Sequence, residues 1–520
     1  MKRRNRLTST EQTVQEPISP RHFIDESTPL INCLPPEILS EIFLNMVLTR
    51  FGSIHHARFA PQDTGSHSIG SYVGRVCSYW RNVSLRTPAL WSSFYIRISP
   101  CTYSGLMLQR LQCHLVRSGS HPLSVAVFLR GGLTLQEQDV ISCSHTAKLR
   151  VKREHYLLNP RRMLEIIFKH AERIYSLTLV ADVTQPGDNI FVTRVVSSLS
   201  HRFPVLTSLK IIIPHYEDII SLLNLFAEFS SIQNLMLNLL YCPVGITERC
   251  QFPLNQITNI ELRHASVDTI WDILPHCRNI QTADFHFYQY RVPRPRKGKL
   301  SVPYIHTLRI SFAKPTHLGV VMNMLNDMTF PRLSSFSFDA AGFHTSCYEE
   351  LHRESWNLTF LNPVLRIVSS STSGLRTLRL NRAPFGDAHL LPILRKTPDL
   401  EELDVTDMGY NGVNYTVTSR LLKELSGGAV VPRLRKVGLV IWTEWKGDGI
   451  FEGVLEARMK REPKLHTAYA KVVGTGAFHL DMGRLRRLQK EGLAVRVVQV
   501  SNIESNTEVE VVGYGRDGGE

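Results

Sequence analysis

Hydrophobic and polar positions between residues 174 and 439 follow one recurring pattern. An apolar residue is followed by another three positions later and by a third two positions after that. The spacing occurs ten times, first at Ile174-Leu177-Leu179 and last at Leu434-Val437-Leu439. Apolar residues that alternate with others over so short a run predict a strand with one buried side. One such run could belong to any α/β protein, but ten in order predict a repeat.

A helical pattern precedes several of these strands. Examples are 218–229 (DIISLLNLFAEF), 318–325 (LGVVMNML) and 419–425 (SRLLKEL), in which apolar residues recur at helical spacing. One strand and one helix per unit predict an α/β fold in which the units stack into a curved solenoid around a parallel sheet. The repeat length of roughly 29 residues lies at the upper end of the range of leucine-rich repeats, which the array resembles.

Less regular segments border the array. Leu123-Val125-Val127 predicts an early, degenerate unit, and 493–500 (LAVRVVQV) predicts a closing strand. The wide interval between Leu333 and Leu375 predicts an insertion around 341–357.

Side-chain alternation identifies the residues that face outward from the predicted sheet. The residue between the last two apolar positions of each repeat should lie on the open, concave face. These residues carry both signs of charge and form no basic stripe, which favours recognition of a protein over recognition of a phosphate backbone. The charged candidates for target binding are Lys210, Glu261, Asp284, Arg309, Arg379 and Asp404, and the uncharged members of the set are Thr178, Met236, Ser337 and Gly438.

Two amphipathic helical patterns precede the array. The first begins at Pro35-Pro36, residues that suit an opening helical turn, and carries an apolar stripe of Ile38, Leu39, Ile42, Phe43, Met46 and Val47. The second begins near Ser71 and carries Val73, Val76, Cys77, Trp80 and Val83 on one face. Residues 48–71 between them are rich in His, Ser and Gly, which predicts a solvated loop. Thr87-Pro88 ends the second helix.

These N-terminal residues resemble an F-box of the type common in large fungal families, which reads roughly L-P-x-E-[IL]-[IL], then V-C-x-x-W-R, then T-P-x-L-W. The loop between the helices is longer than a compact F-box needs, although loop closure costs little extra with length. The resemblance implies that the domain binds the Skp-type adaptor of a cullin–RING ubiquitin ligase. The adaptor-binding residues that it implies are Leu34, Pro35, Glu37, Ile38, Leu39, Ile42, Phe43, Val76, Cys77, Trp80, Leu90 and Trp91.

Composition narrows the class of protein further. The formal charge is +14, which permits contacts with nucleic acid, acidic proteins or membrane headgroups, but Lys and Arg are spread along the chain. Nine cysteines without a CxxC pair make a disulfide framework or a structural zinc site a poor interpretation and favour a reducing compartment. The sequence contains no run of 18 apolar residues, so it predicts no membrane span, and the basic N-terminus lacks the apolar core of a secretory signal. We expect an intracellular protein of the cytoplasm or nucleus, and KRRNR at 2–6 is a candidate nuclear address.

The sequence contains no recognisable catalytic motif. G-x-S-x-G, P-loop and H-E-x-x-H patterns are absent. Cys242, Cys250, His264, His276 and Cys277 match no zinc spacing, so we expect no metal, no cofactor and no catalytic residue. The basic run 291–299 is interrupted by prolines and predicts a solvated loop, with an acidic docking site as the alternative.

The predicted organisation is a disordered basic tail (1–28), an F-box-like domain (29–96), a solenoid (97–500, clearest at 170–442) and a disordered tail (501–520). The expected function is that of a substrate receptor. The F-box would dock on the adaptor, and the solenoid would present an unidentified protein target for ubiquitination. The alternatives are a binding scaffold without a ligase role and, less in keeping with the open face, a nucleic-acid-associated repeat protein.

Overall fold

A computed structural model of the chain describes residues 30–52, 66–98, 105–130, 162–182, 203–213, 216–239, 245–287, 298–312, 318–340, 354–383, 386–407, 416–442, 449–473, 480–500 and 508–512. Its helices are α1 (Pro36–Gly52), α2 (Ile69–Val73), α3 (Ser78–Arg86), α4 (Gly105–Arg117), α5 (162–168), α6 (Tyr216–Leu225), α7 (Ile246–Arg249), α8 (Val267–Ile273), α9 (Leu318–Asn326), α10 (Glu354–Ser370), α11 (Asp387–Arg395), α12 (Ser419–Gly427), α13 (Ile450–Met459) and α14 (Met482–Lys490).

The strands are β1 (Ser66–Ser68), β2 (Ser93–Ile98), β3 (Leu123–Arg130), β4 (Ile174–Asp182), β5 (Ser208–Ile212), β6 (Asn234–Asn238), β7 (Asn259–Arg263), β8 (Thr282–Phe287), β9 (Leu300–Ser301), β10 (Thr307–Phe312), β11 (Met328–Thr329), β12 (Ser335–Asp339), β13 (Thr377–Asn381), β14 (Glu402–Thr406), β15 (Lys436–Trp442), β16 (Thr467–Val473), β17 (Ala494–Val500) and β18 (Glu508–Val512).

One 16-stranded sheet runs through the described part of the chain. Its strands lie side by side in sequence order from β1 to β18, except that β9 and β11 pair with each other in a separate two-stranded sheet. Neighbours from β2 to β17 are parallel, and only the terminal pairs β1–β2 and β17–β18 are antiparallel. The chain therefore adds one parallel strand after another in a single direction, as a repeat with one strand per unit predicts.

The core lies between the sheet and the helices. Apolar residues on one side of the strands are buried, as Leu209 and Ile211 are in β5, and they belong to one apolar cluster that extends from Phe94 in β2 to Val497 in β17. A smaller second cluster lies at the N-terminus, between α1, α2 and α3. The α/β class and the large parallel sheet confirm the coarse fold prediction.

The predicted strands and helices of the array are present. Each of the ten apolar spacings ends in a strand of the sheet, the early unit at Leu123-Val125-Val127 is β3, and the predicted closing strand is β17. The unit of α13 and β16 was not predicted, although Leu465, Ala468 and Ala470 before and within β16 have the same spacing and are buried. Part of the predicted insertion, residues 354–357, begins helix α10, and 341–353 lie outside the described residues.

Three local predictions are wrong. The predicted loop 48–71 contains the end of α1, strand β1 and the start of α2, while 53–65 lie outside the described residues. The second N-terminal helix is two helices, α2 and α3, separated at Gly74–Cys77. The C-terminal tail contains strand β18, because the alternating EVEVV sequence pairs with the otherwise open edge of β17. Residues 1–29 and 288–297 are also outside the described residues.

Among the described residues, no helix combines the length and the apolar composition that crossing a bilayer requires.

Candidate protein-interaction surfaces

The first candidate surface is the outer side of α1. Ile38, Ile42 and Met46 follow one another at four-residue intervals, so they lie on one side of the helix. Their exposed fractions are 49%, 38% and 41%. We call these three residues the α1 stripe. Large aliphatic side chains aligned in water are typical of a surface that another protein covers.

The opposite side of α1 fixes the helix in place. Leu39 and Phe43 are fully buried in the N-terminal cluster, and the Phe43 ring lies 4.8 Å from the Trp80 ring of α3. The Tyr79 hydroxyl donates a 2.7 Å hydrogen bond to the carbonyl of Leu34, which holds the chain just before α1. The α1 stripe is thus presented on a helix whose position is set by packing and by α3.

The break before α3 explains the placement of three predicted residues. Cys77 has an extended backbone and caps α3, since its Sγ accepts a 3.5 Å hydrogen bond from the Trp80 amide. Val76, immediately before it, is 61% exposed, and Trp80 is half-buried. The thiol therefore has a local structural role, and Val76 is an accessible apolar residue instead of part of a continuous buried helical face.

Burial corrects part of the predicted adaptor set. Leu39 and Phe43 on α1, and Leu90 and Trp91 in the 3-10 turn Pro88–Trp91, are at most 3% exposed and belong to the N-terminal cluster. Their side chains hold the helices together and cannot contact a partner without unfolding of the cluster. Spacing did not separate the packed and open sides of α1, because both carry aliphatic residues.

The remaining members of that set lie at the surface or close to it. Pro35 and Glu37 are exposed and Leu34 is half-buried against the N-terminal cluster. Together with the α1 stripe they leave an accessible rim around the first turn of α1.

The second candidate surface is the face of the large sheet opposite the core, which we call the open face. The ten outward residues predicted from the sequence occupy matching register positions in ten successive strands. They form one row: Thr178, Lys210, Met236, Glu261, Asp284, Arg309, Ser337, Arg379, Asp404 and Gly438. The structure thus brings the six charged candidates into a single line, although Lys210, Glu261 and Asp284 are half-buried.

A row of hydroxyl and amide side chains runs beside this line, two residues earlier in each strand. From β2 to β13 every paired position in it is Ser, Thr or Asn. Asn259 donates a 2.7 Å hydrogen bond to the Asn234 side chain of the next strand, which ties neighbouring repeats together. Asn234 in turn donates a 3.3 Å hydrogen bond to the carbonyl of Thr207. The row is uncharged, so the charged line is the distinctive chemistry of the face.

The strongest charge cluster on the open face lies on β7, β8 and β10. Arg263 Nε is 2.6 Å from Glu261 Oε1, and His286 Nε2 lies 3.2 Å from Asp284 Oδ1 and 3.6 Å from Glu261 Oε1. The other ring nitrogen of His286 shares a hydrogen bond with the Ser311 hydroxyl. Sequence reasoning missed Arg263, His286 and Ser311, which stand two residues after the predicted positions on the same face. Strand alternation would have found them.

Burial lowers the pKa of two groups beside this cluster. It lowers the pKa of the Lys210 ammonium, although Glu261 acts in the opposite direction and Arg263 adds to the lowering. It also lowers the pKa of His264, and the neighbouring Arg263 acts in the same direction. The cluster is therefore a partly desolvated network in which opposite charges are already paired.

A second charge cluster lies on β13, β14 and β15. Glu402 Oε2 is 3.5 Å from Arg379 Nη2 and 3.8 Å from Lys436 Nζ. Part of the Asp404 side chain reaches solvent, but its carboxyl group lies against Gly438, where a β-carbon would be 3.0 Å from Oδ1. This burial raises the pKa of Asp404, against the opposing effects of Arg379 and Lys436. The absence of a side chain at Gly438 leaves the space that the Asp404 carboxylate occupies on the sheet.

Four of the five cysteine and histidine residues considered as metal ligands lie within the described residues. Cys277 is buried, which raises the pKa of its thiol to about 12, and burial also raises the pKa of Cys250. Cys242 lies outside the described residues. In the described ranges no group of three or more His, Cys, Asp and Glu side chains is arranged to hold a metal ion.

Comparison with known proteins adds no identification. The chain matches no protein-family model, and a search of the curated proteins found no match.

Proposed function

We propose that the chain is an F-box protein with leucine-rich repeats, and that it acts as the substrate receptor of a Skp–cullin–RING ubiquitin ligase. The α1 stripe is the observation that carries the proposal. Ile38 and Ile42 are exposed on a helix whose other side is packed, within the same segment that matches the F-box pattern. A rigid helix that displays aliphatic side chains binds a partner with little loss of conformational freedom.

The open face supports the second half of the proposal. It combines a line of charged residues of both signs with a border of hydroxyl and amide groups, and its strands are fixed by a continuous core. Such a surface suits a protein partner, because its charged and hydrogen-bonding groups stand at fixed positions and can pair with complementary groups on the partner. The receptor's contribution to ubiquitin transfer would be proximity and orientation of the target, while other subunits perform the chemistry.

The direct test is co-purification of the full chain with a Skp-type adaptor. The double variant Ile38→Asp/Ile42→Asp places charge on the α1 stripe without touching the buried Leu39 and Phe43. We expect it to weaken adaptor binding by at least about 30-fold, the effect of losing one interface hot spot. Val116→Asp is the matched control, because Val116 is also aliphatic, helical and exposed, at 78%.

Two outcomes would contradict the proposal. One is a folded wild-type chain that does not bind the adaptor, and the other is equal binding by wild type and the α1 variant. Adaptor binding without recruitment of a cullin would instead support a scaffold that has no ligase role.

A further inference from the structure

The segment that joins the N-terminal helices to the sheet has an unusual charge composition. From Thr64 to Gln136 the chain contains no Asp, no Glu and no Lys, yet it contains seven arginines. The nearest acidic residues in the sequence are Asp63 and Glu137. The segment therefore carries positive charge without local compensation, a property that it shares with residues 285–326.

Three of these arginines converge on one cleft. The cleft has a volume of about 270 Å³ and lies where α2 and the turn Pro88–Trp91 meet α4. Arg75, Arg110 and Arg117 line it, together with the Ser71 hydroxyl and the Gln109 amide. Within the part of the chain that the structure describes, none of the three arginines has an ion pair with a carboxylate. The lining thus offers fork-shaped cationic donors and neutral polar groups without a competing anion.

Packing holds one of the arginines in position. The Arg117 guanidinium lies 4.4 Å from the centre of the Trp91 ring, a stacking distance for a cation over an aromatic face. Trp91 is itself fixed, since its Nε1 donates a 2.8 Å hydrogen bond to the Ser84 carbonyl. Gly70 allows this arrangement, because a β-carbon there would lie 2.7 Å from the Trp91 ring. The floor of the cleft is therefore rigid, and Arg117 loses little conformational freedom when it binds an anion.

We propose that this cleft binds a phosphorylated side chain of a partner protein. A phosphate monoester carries nearly two negative charges and three acceptor oxygens, which match arginine forks better than a carboxylate does. Leu106, 65% exposed at the edge of the cleft, provides apolar contact for the residues that flank the phosphate. A nucleic acid would require a basic stripe that follows its backbone, whereas these arginines enclose a single small cleft.

The proposal does not depend on the proposed ligase function. The cleft lies on α2 and α4, and its lining contains no residue of α1. A chain that fails to bind the adaptor can still bind a phosphorylated peptide, and the reverse also holds. If both hold, the cleft would let phosphorylation of a partner decide whether it is retained by the chain.

Fluorescence anisotropy with the full chain tests the cleft. The probes are two labelled pools of short random-sequence peptides, identical except that one carries phosphoserine and the other serine at the centre. We expect the phosphoserine pool to bind at least about tenfold more tightly, as a charge-assisted contact predicts. Arg110→Gln and Arg117→Gln should each weaken that binding by about tenfold. The affinity of Arg117→Lys for the phosphoserine pool should lie between those of the two glutamine variants and that of wild type. Lysine keeps the charge but loses the planar fork and its stacking on Trp91.

Arg278→Gln is the matched control, because Arg278 is an exposed arginine remote in sequence from the cleft. Its binding should stay at the wild-type value, and circular dichroism should show every variant folded. Equal binding of the two pools, no binding of the phosphoserine pool, or an equal loss in the control would each overturn the proposal. Tighter binding of labelled duplex DNA than of the phosphoserine pool would also overturn it and identify a surface for polyanions.

Discussion

At the scale of single residues, Arg458 shows how this fold accommodates a buried charge. The side chain is 1% exposed, and its three nitrogens donate hydrogen bonds of 2.7–2.8 Å to the carbonyls of Leu425, Val430 and Val431. Burial lowers its pKa to about 10, with a smaller effect from Arg461, so the guanidinium remains charged at neutral pH. Arg458 thereby joins α13 to the end of α12 and to the chain before β15.

Arg458→Met should destabilise the array severely. Methionine fills similar volume, but it leaves three buried carbonyls without donors, at a cost of about 3 kcal/mol or more. Urea unfolding should show a lower midpoint than wild type, whereas Arg278→Met, at an exposed position, should unfold close to the wild-type midpoint. Equal midpoints for the two variants would show that water replaces the lost donors.

The thiols should differ sharply in reactivity. Cys277 is buried with a pKa of about 12, so almost none of it is thiolate at pH 8, whereas Cys113 is exposed on α4. Brief treatment of the native protein with iodoacetamide, followed by peptide mass mapping, should label Cys113 and leave Cys277 unmodified. Denaturant should make both residues react. Labelling of native Cys277 would mean that its unit opens far more readily than its packing indicates.

At the scale of elements, the sequence predicted those parts whose periodicity is local. The helices α6, α9 and α12 and the strands they precede follow from apolar spacing alone. The break between α2 and α3 did not follow, because it depends on Gly74 and on capping by the Cys77 sulfur, and helical spacing runs through both. The packed and open sides of α1 were also inseparable, since Leu39 and Ile38 are equally apolar and only the position of α3 distinguishes them.

Helices α13 and α14, which belong to adjacent units, are joined by the ion pair of Glu456 and Arg484. Arg484 Nη2 lies 2.6 Å from Glu456 Oε2 and Nε lies 2.9 Å from Oε1, a two-bond geometry between α13 and α14. These hydrogen bonds are the main reason that the pKa of Glu456 is lowered below its usual 4.5. Both side chains are about a quarter exposed, so solvent screens the pair and limits its contribution to about 1 kcal/mol.

The pair predicts a specific dependence of stability on pH. Because the folded pKa is lowered, the stabilisation is complete above pH 4.5 and is lost as the pH falls through the folded pKa. The difference in urea midpoint between wild type and Glu456→Gln should therefore be largest near neutral pH and should shrink below pH 4.5. Glu424→Gln, which removes a more exposed pair with Arg395, should show little difference at any pH. If the difference in urea midpoint between wild type and Glu456→Gln does not change with pH, the stabilisation comes from packing and not from the ion pair.

At the scale of the whole molecule, the sequence predicted the line of residues along the open face but missed the contacts between that line and its neighbours. The line from Thr178 to Gly438 follows from one outward position per repeat, and the register confirms it. The contact of His286 with Ser311 joins β8 to β10, and its contact with Glu261 joins β8 to β7 and crosses between neighbouring lines. They depend on how strands that are distant in sequence align, which spacing within a single repeat does not specify.

The two ends of the array pose a separate problem, because a parallel sheet leaves an unpaired strand at each end. Strand β18 resolves it at the C-terminal end by pairing antiparallel with β17 and placing Glu508 and Glu510 on the final edge. Without it, the edge would be the seven-residue strand β17, four of whose residues are valines. Long apolar edges recruit strands of other molecules, and charged edges resist this.

Removal of β18 should therefore make the chain self-associate. A chain truncated to 1–500 should form dimers and larger species as its concentration rises, measured by size-exclusion chromatography with light scattering. A chain truncated to 1–512 retains β18 and is the matched control, so it should keep the mass distribution of the full chain. Adding Val497→Lys to the shorter chain would disrupt the core, but Gln499→Lys adds charge at a position that the core does not bury and should restore the full-chain distribution. If the 1–500 chain stays unassociated at all concentrations, the edge of β17 is protected by its own twist and not by β18.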